Sequence, residues 1–90
     1  MATFKDQGNA AFKAKNYDEA IKFYSQAIDE NPSDHTIYAN RAAAYQNQGK
    51  YDDALNSAEK AISIKPDWSK GYQRKAMALH SQGKLDDAIS

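Results

Sequence analysis

The chain repeats itself every thirty-four residues, and that period constrains its fold more than any other feature. Tyr17-Asp18-Glu19-Ala20-Ile21 returns as Tyr51-Asp52-Asp53-Ala54-Leu55 and again as Leu85-Asp86-Asp87-Ala88-Ile89. Ala27 and Pro32 return as Ala61 and Pro66, Gly8 is answered by Ala42 and Ala76, and Phe4, Tyr38 and Tyr72 share one more position. A fixed period of this length is the signature of an array of helical hairpins, each burying its apolar stripe against the next. The fold class is therefore all-α: a right-handed array of antiparallel hairpins, with repeats at about 1–34 and 35–68 and an incomplete third at 69–90. Such an array is a binding surface by construction, and it argues against an enzyme.

Local signals divide the array into helices. Apolar residues at helical spacing predict helices at Ala2–Ala14, Tyr17–Glu30, Asp34–Gln48, Tyr51–Ile64 and Ser69–Gln82. Pro32 and Pro66 end hairpins by removing a helical N–H and crowding the residue before them. Gly49 and Gly83 mark turns within hairpins, so a new helix is expected to open at Leu85. The acidic pairs around Asp18, Asp52 and Asp86 fall in first helical turns, where they offset the positive end of the helix dipole. Gly8, Ala42 and Ala76, with Ala20, Ala54 and Ala88, let paired helices approach closely. Tyr24 has no counterpart in the second repeat, where Ala58 takes its place.

Bulk properties exclude several function classes. Twelve basic and twelve acidic side chains cancel, so charge gives no reason to expect nucleic acid. No apolar run approaches a membrane span, and the first residues lack the core of a secretory signal. Without cysteine there is no disulfide framework or thiolate metal site. Together these point to a cytosolic protein. No Gly-rich phosphate loop, metal cluster or nucleophile with its base is present, so no cofactor is expected. His35 and His80 lack a ligand partner and are assigned surface or packing roles. Trp68 is expected to pack between hairpins.

Residues that recur build the fold; residues that break the symmetry need another reason. Lys5 is replaced by Ala39 and Gln73, Asn9 by Ala43 and Met77, and Lys70 aligns with Ala2 and Thr36; Asp6, Asn40 and Arg74 share one further position. First helices of stacked hairpins line the concave surface of a solenoid, so these polar residues converge on one groove. Lys5 and Asn9, like Lys70 and Arg74, are four apart and share a helix face. Three cations and two amides suit a carboxylate. Taken by charge alone, Lys5, Lys70 and Arg74 are better explained as solvated surface cations, the usual fate of such side chains. Arg41 follows Asn40 by one residue, which turns it away from the groove and toward a structural salt bridge.

The Gly, Tyr, Ala, aromatic, Ala, Pro series resembles the tetratricopeptide repeat along the whole chain. Lys5-Asp6-Gln7-Gly8-Asn9, Asn40-Arg41 and Lys70-Gly71-Tyr72-Gln73-Arg74 resemble the dicarboxylate clamp of its chaperone-binding members. The resemblance implies that Lys5, Asn9, Asn40, Lys70 and Arg74 hold the side-chain and terminal carboxylates of a partner's C-terminal Asp. Pro66 to Ala76, with Ala78-Leu79-His80, is similar to the N-terminal repeat domain of Hsp-organising co-chaperones, which bind the Glu-Glu-Val-Asp tail of the seventy-kilodalton chaperone. Lys15 to Ile28 also looks like the repeat domain of phosphatase-type members, the alternative being an adaptor for the ninety-kilodalton chaperone. Both tails share their last four residues, so selection falls to the upstream positions, read by resemblance through Phe12, Ala43, Gln46 and Asn47. Phe12 fits the core pattern equally well. A structural, self-associating repeat is the remaining rival. Met77 and Leu79 are expected to stay exposed beside an incomplete sixth helix, favouring a homodimer or helix exchange about a Gln82-Gly83-Lys84 hinge.

Overall fold

The computed structural model of the chain describes residues 3–89, with side chains through residue 83. Five helices follow one another: α1 (Phe4–Lys13), α2 (Tyr17–Glu30), α3 (His35–Gln48), α4 (Tyr51–Ile64) and α5 (Ser69–Ile89). Each packs against the next, and α3 additionally touches α1 and α5, so the odd-numbered helices lie side by side along one face. None is long and apolar enough to cross a membrane among the described residues.

The caps explain most of the boundaries. Thr3 and Asp6 form a capping box at the start of α1, each side chain accepting from the other's backbone N–H. Asp34 caps α3 by accepting from the Thr36 N–H at 3.0 Å. Between hairpins, Asn31-Pro32-Ser33-Asp34 and Lys65-Pro66-Asp67-Trp68 each close with an N–H bond from the fourth residue to the carbonyl of the first. Proline supplies the second position of such a turn because its ring fixes the required φ. Within hairpins, Asn16 N–H reaches the Ala11 carbonyl and Lys50 N–H reaches that of Tyr45, the six-to-one bond that ends a helix through a left-handed residue. That residue is Gly49 in the second repeat, at φ +79°, and Lys15 in the first, at φ 63°.

The core is built largely of alanine. Ala20, Ala39, Ala44, Ala58, Ala61 and Ala78 are fully buried, and the helices meet across them at close range. The first repeat adds one large side chain, Tyr24, which lies across Gly8; a Cβ at position 8 would sit 2.6 Å from its ring. The second repeat has alanine at both equivalent positions, Ala42 and Ala58, and both are buried. This accounts for the break in symmetry at positions 24 and 58.

The turn expected at Gln82-Gly83-Lys84 is absent: α5 runs through it as one helix to Ile89. Extending an existing helix adds one bond for each residue ordered, whereas a reversal needs a fresh nucleus and an apolar stripe to repay it. Among the described residues no helix folds back over Ala76, which is exposed where its equivalents Gly8 and Ala42 are buried. Met77 and Leu79 are exposed as expected. The side chains of Leu85, Asp86, Asp87, Ala88 and Ile89 lie outside the described residues.

Arg41 also departs from the expected salt bridge. It points away from the clamp face as expected, but its partners are hydroxyls, with no ion pair among the described residues. Its Nε donates to Ser57 at 3.1 Å and one terminal nitrogen to Ser25 at 3.4 Å, while the guanidinium lies over the rings of Tyr38 and Tyr45. Ser57 is buried, so the contact satisfies a hydroxyl that would otherwise lack a partner. Trp68 packs against Tyr38, Ala39 and Ala61 and meets His35 edge-on at 4.6 Å. His80 is exposed.

The acidic pairs have a second role beyond the helix dipole. Gln48 donates to Asp18 and Gln82 donates to Asp52, so one contact between successive hairpins recurs at the repeat period.

Candidate functional site

The odd-numbered helices carry the asymmetric polar residues, and their side-by-side packing assembles most of them. Asn9 from α1, Asn40 from α3 and Arg74 from α5 line a single cleft of about 80 Å³ together with Phe12, Tyr24 and Ala43. Three of the five expected clamp residues and two of the four expected specificity residues thus share one wall. The two lysines stand one helical turn before Asn9 and Arg74 on the same helix faces, outside this cleft.

Inside the cleft the amides are bound to each other. Asn40 Nδ2 donates to Asn9 Oδ1 at 3.3 Å, and the Tyr24 hydroxyl donates to the same oxygen at 2.6 Å. Tyr24 is 1% exposed. Burial pushes its hydroxyl pKa up to about 12, so it is a donor at any ordinary pH. Asn9 Nδ2 takes no part in these bonds and retains two donors. Arg74 Nη1 has only the weak acceptor Met77 Sδ, at 3.8 Å, and its Nε is shielded from solvent without an acceptor among the described residues. A guanidinium held this way, with no ion pair among the described residues, suits a carboxylate.

The two lysines differ. Lys70 is exposed and has no ion pair among the described residues. Lys5 is engaged: its ammonium donates to Thr36 Oγ1 at 2.6 Å and lies 3.4 Å from Asp34 Oδ2. The Thr36 hydroxyl in turn donates to Asp34 at 2.5 Å. Burial alone would raise the Asp34 carboxyl, but the Thr36 hydroxyl and N–H, with the Lys5 ammonium, outweigh it and hold the pKa below its usual value. Lys5 borders a second groove, of about 220 Å³, running between α1, the end of α2 and the start of α3 past Glu30 and Asp34.

The specificity residues also separate. Phe12 both lines the cleft and packs against the core, edge-on to Tyr17 at 5.4 Å. Ala43 is buried beside it. Gln46 is turned toward α5, where it donates to Ser81 at 2.5 Å. Asn47 is exposed, with its amide returned to the Ala43 carbonyl at 2.8 Å. Two participants escaped the sequence pattern: the Tyr24 hydroxyl, signalled only by the change to Ala58, and the Asp34–Thr36 pair, which reads from sequence as a helix cap.

Comparison with known proteins now bears on this arrangement. A family model described as serine/threonine-protein kinase BSK1-like, TPR repeats, matches residues 1–76. Hsp70-Hsp90 organizing protein 1 of Arabidopsis thaliana is 51% identical over 45 residues, covering 50% of this chain and 8% of that protein. Human serine/threonine-protein phosphatase 5 is 61% identical over 41 residues, covering 46% of this chain and 8% of that protein. The matches with these relatives thus take in only about a twelfth of their length. Among solved structures, the second TPR domain of human RPAP3, in complex with the HSP70 peptide SGPTIEEVD, superposes with a TM-score of 0.87 at 35% identity, covering 96% of this chain and 72% of that one. The second TPR domain of Spaghetti (RPAP3), bound to the HSP90 peptide SRMEEVD, gives 0.86 at 35% identity, with 96% and 80% covered. Sequence period, stacked hairpins and a family match across most of the chain agree: this chain belongs to the tetratricopeptide-repeat family.

Proposed function

We propose that this chain is a non-catalytic, peptide-binding co-chaperone module of the cytoplasm that captures the acidic C-terminal tail of a heat-shock chaperone. One observation carries the reading: Asn9, Asn40 and Arg74, drawn from three different helices, line one cleft and leave donors available in it. A C-terminal Asp carries two carboxylates, and it is the ligand such a donor set fits. Asn9 and Asn40 with Lys5 face one carboxylate; Arg74 with Lys70 faces the other. Lys5 reaches the tail by exchanging its bond to Asp34 for one to the incoming carboxylate, which keeps the ion pair and changes only its partner. The related domains whose structures hold HSP70 and HSP90 tails support this ligand class.

The test is a titration with free-acid peptides ending Glu-Glu-Val-Asp. A lost charge-assisted hydrogen bond costs about 1.5–3 kcal/mol, so Lys70→Ala or Arg74→Ala should weaken binding at least tenfold. Amidating the peptide C-terminus should do similar damage. Affinity unchanged by both would overturn the clamp. Within this reading the seventy-kilodalton chaperone is preferred: Phe12 and Ala43 give the cleft an apolar wall for an aliphatic side chain upstream of the terminal Asp. Equal affinity for the two chaperone tails would remove the preference and leave the clamp standing.

A further inference from the structure

Tyr24 is the largest fully buried side chain among the described residues, and its hydroxyl is directed to the cleft. The repeats supply an internal control for why it is there. In the first repeat Gly8, Asn9 and Tyr24 occur together; at the equivalent positions of the second, all three are alanine, Ala42, Ala43 and Ala58. The three differences form one unit in space. Gly8 clears the path for the Tyr24 ring, which would otherwise meet a Cβ at 2.6 Å, and the ring delivers its hydroxyl to Asn9 Oδ1 at 2.6 Å. Where the amide is missing, the tyrosine and the glycine that admits it are missing too.

We propose that Tyr24 is a positioning residue for the clamp: its buried hydroxyl orients the Asn9 carboxamide so that Nδ2, and not Oδ1, is presented to the peptide carboxylate. The proposal rests on the clamp reading. A carboxamide has two ends of almost the same shape and opposite polarity, and a carboxylate is received by the donor end alone. Nothing about asparagine by itself selects that end. Here Oδ1 accepts from Tyr24 and from Asn40 Nδ2 at once. Rotating the amide by half a turn would place Asn9 N–H groups against the N–H groups of Asn40, and the Tyr24 hydroxyl would have to turn from donor to acceptor. Because the phenol is buried on α2 and held by the core, the orientation is set before any peptide arrives, and binding does not bear the cost of selecting it.

The experiment is a double-mutant cycle on the whole chain, read by calorimetric titration with a free-acid peptide ending Glu-Glu-Val-Asp. Tyr24→Phe removes the hydroxyl and keeps the ring that packs on Gly8. It should weaken binding about fivefold, the effect of one neutral hydrogen bond. Asn9→Ala should weaken binding by more, and adding Tyr24→Phe to Asn9→Ala should then cost nothing further. In a Lys70→Ala background the same change should still cost its full fivefold. An equal loss with and without Asn9 would mean that Tyr24 acts only through stability, which overturns the proposal. Binding that Asn9→Ala weakens and Tyr24→Phe does not would overturn it while leaving the clamp intact. A wild-type protein that binds no such peptide would remove both. The unmodified protein gives an independent readout should Tyr24→Phe fail to fold: on saturation with the tail, the Asn9 side-chain amide protons should move downfield in the nuclear magnetic resonance spectrum. Protons that stay in place would show that Oδ1 faces the peptide, against the proposal.

Discussion

Gln48-Gly49-Lys50 and Gln82-Gly83-Lys84 are the same tripeptide one repeat apart, and they adopt different structures. The first ends α3, with Gly49 in the left-handed region and Lys50 bonded back to Tyr45. The second continues α5 without a break. Their leading glutamines behave alike, each donating to the aspartate that opens the preceding even-numbered helix. The divergence therefore begins at glycine. After Gly49 comes a fourteen-residue helix whose Ala54, Ala58 and Ala61 are buried against its neighbours, and that burial holds the reversal. After Gly83 no returning helix is present among the described residues. A glycine permits a turn; the packing of the next helix makes one.

This contrast can be broken by substitution, most strongly at Gly49. Alanine there must take a left-handed conformation, which costs an L-residue roughly 1–2 kcal/mol. Gly49→Ala should lower the unfolding midpoint by about 4–8 °C for each kcal/mol lost, read by thermal melting. Gly83→Ala should do the opposite. In a helix, replacing glycine by alanine is worth about 1 kcal/mol, and no other element among the described residues comes within 4 Å of the added Cβ. Helicity and the urea midpoint should rise, and a fall would show that a turn forms at Gly83 in solution. The same pair bears on self-association. With Met77 and Leu79 exposed along a continuous α5, sedimentation at increasing concentration should show dimer, and Gly83→Ala should not suppress it.

The first repeat offers a smaller test. There the left-handed position is held by Lys15 at φ 63°, without glycine's freedom. Lys15→Gly should stabilise the protein by about 0.5–1 kcal/mol through the relief of that strain.

The smallest effect concerns the start of the second repeat, where Asp34 caps α3 and holds Lys5. Its carboxyl pKa is lowered in the folded chain, so its contribution is complete above the unfolded-state value near 3.9 and is lost as pH falls through the folded value. Stability should thus be insensitive to this group at neutral pH and should decline below about pH 4. Asp34→Asn retains a capping side chain and removes the charge. It should cost about 0.5 kcal/mol of stability at pH 7, measured by urea unfolding. The same change frees Lys5 and should tighten binding of the acidic tail, the reverse of what its loss of stability would suggest.

The repeat period, with apolar spacing and the prolines, determined the helical class, the bounds of α2 and α4 to the residue, and the turns at Pro32 and Pro66. These depend on propensity, apolar spacing and proline sterics acting within a few positions of the chain, and such effects are written locally. The helix faces that carry Asn9, Asn40 and Arg74 were legible for the same reason, since four-residue spacing and the repeat register together assign a face. What the tertiary structure alone decided involves partners far apart in sequence. Lys5 finds Thr36 thirty-one residues away, Arg41 finds Ser25 and Ser57 instead of a carboxylate, and Tyr24 reaches Asn9 across fifteen residues. The continuation of α5 through Gly83 belongs with these, because whether a glycine turns depends on the surface that the returning segment can bury. Side-chain hydrogen bonds form only over the last few ångströms of approach, and that distance is set by how the hairpins stack.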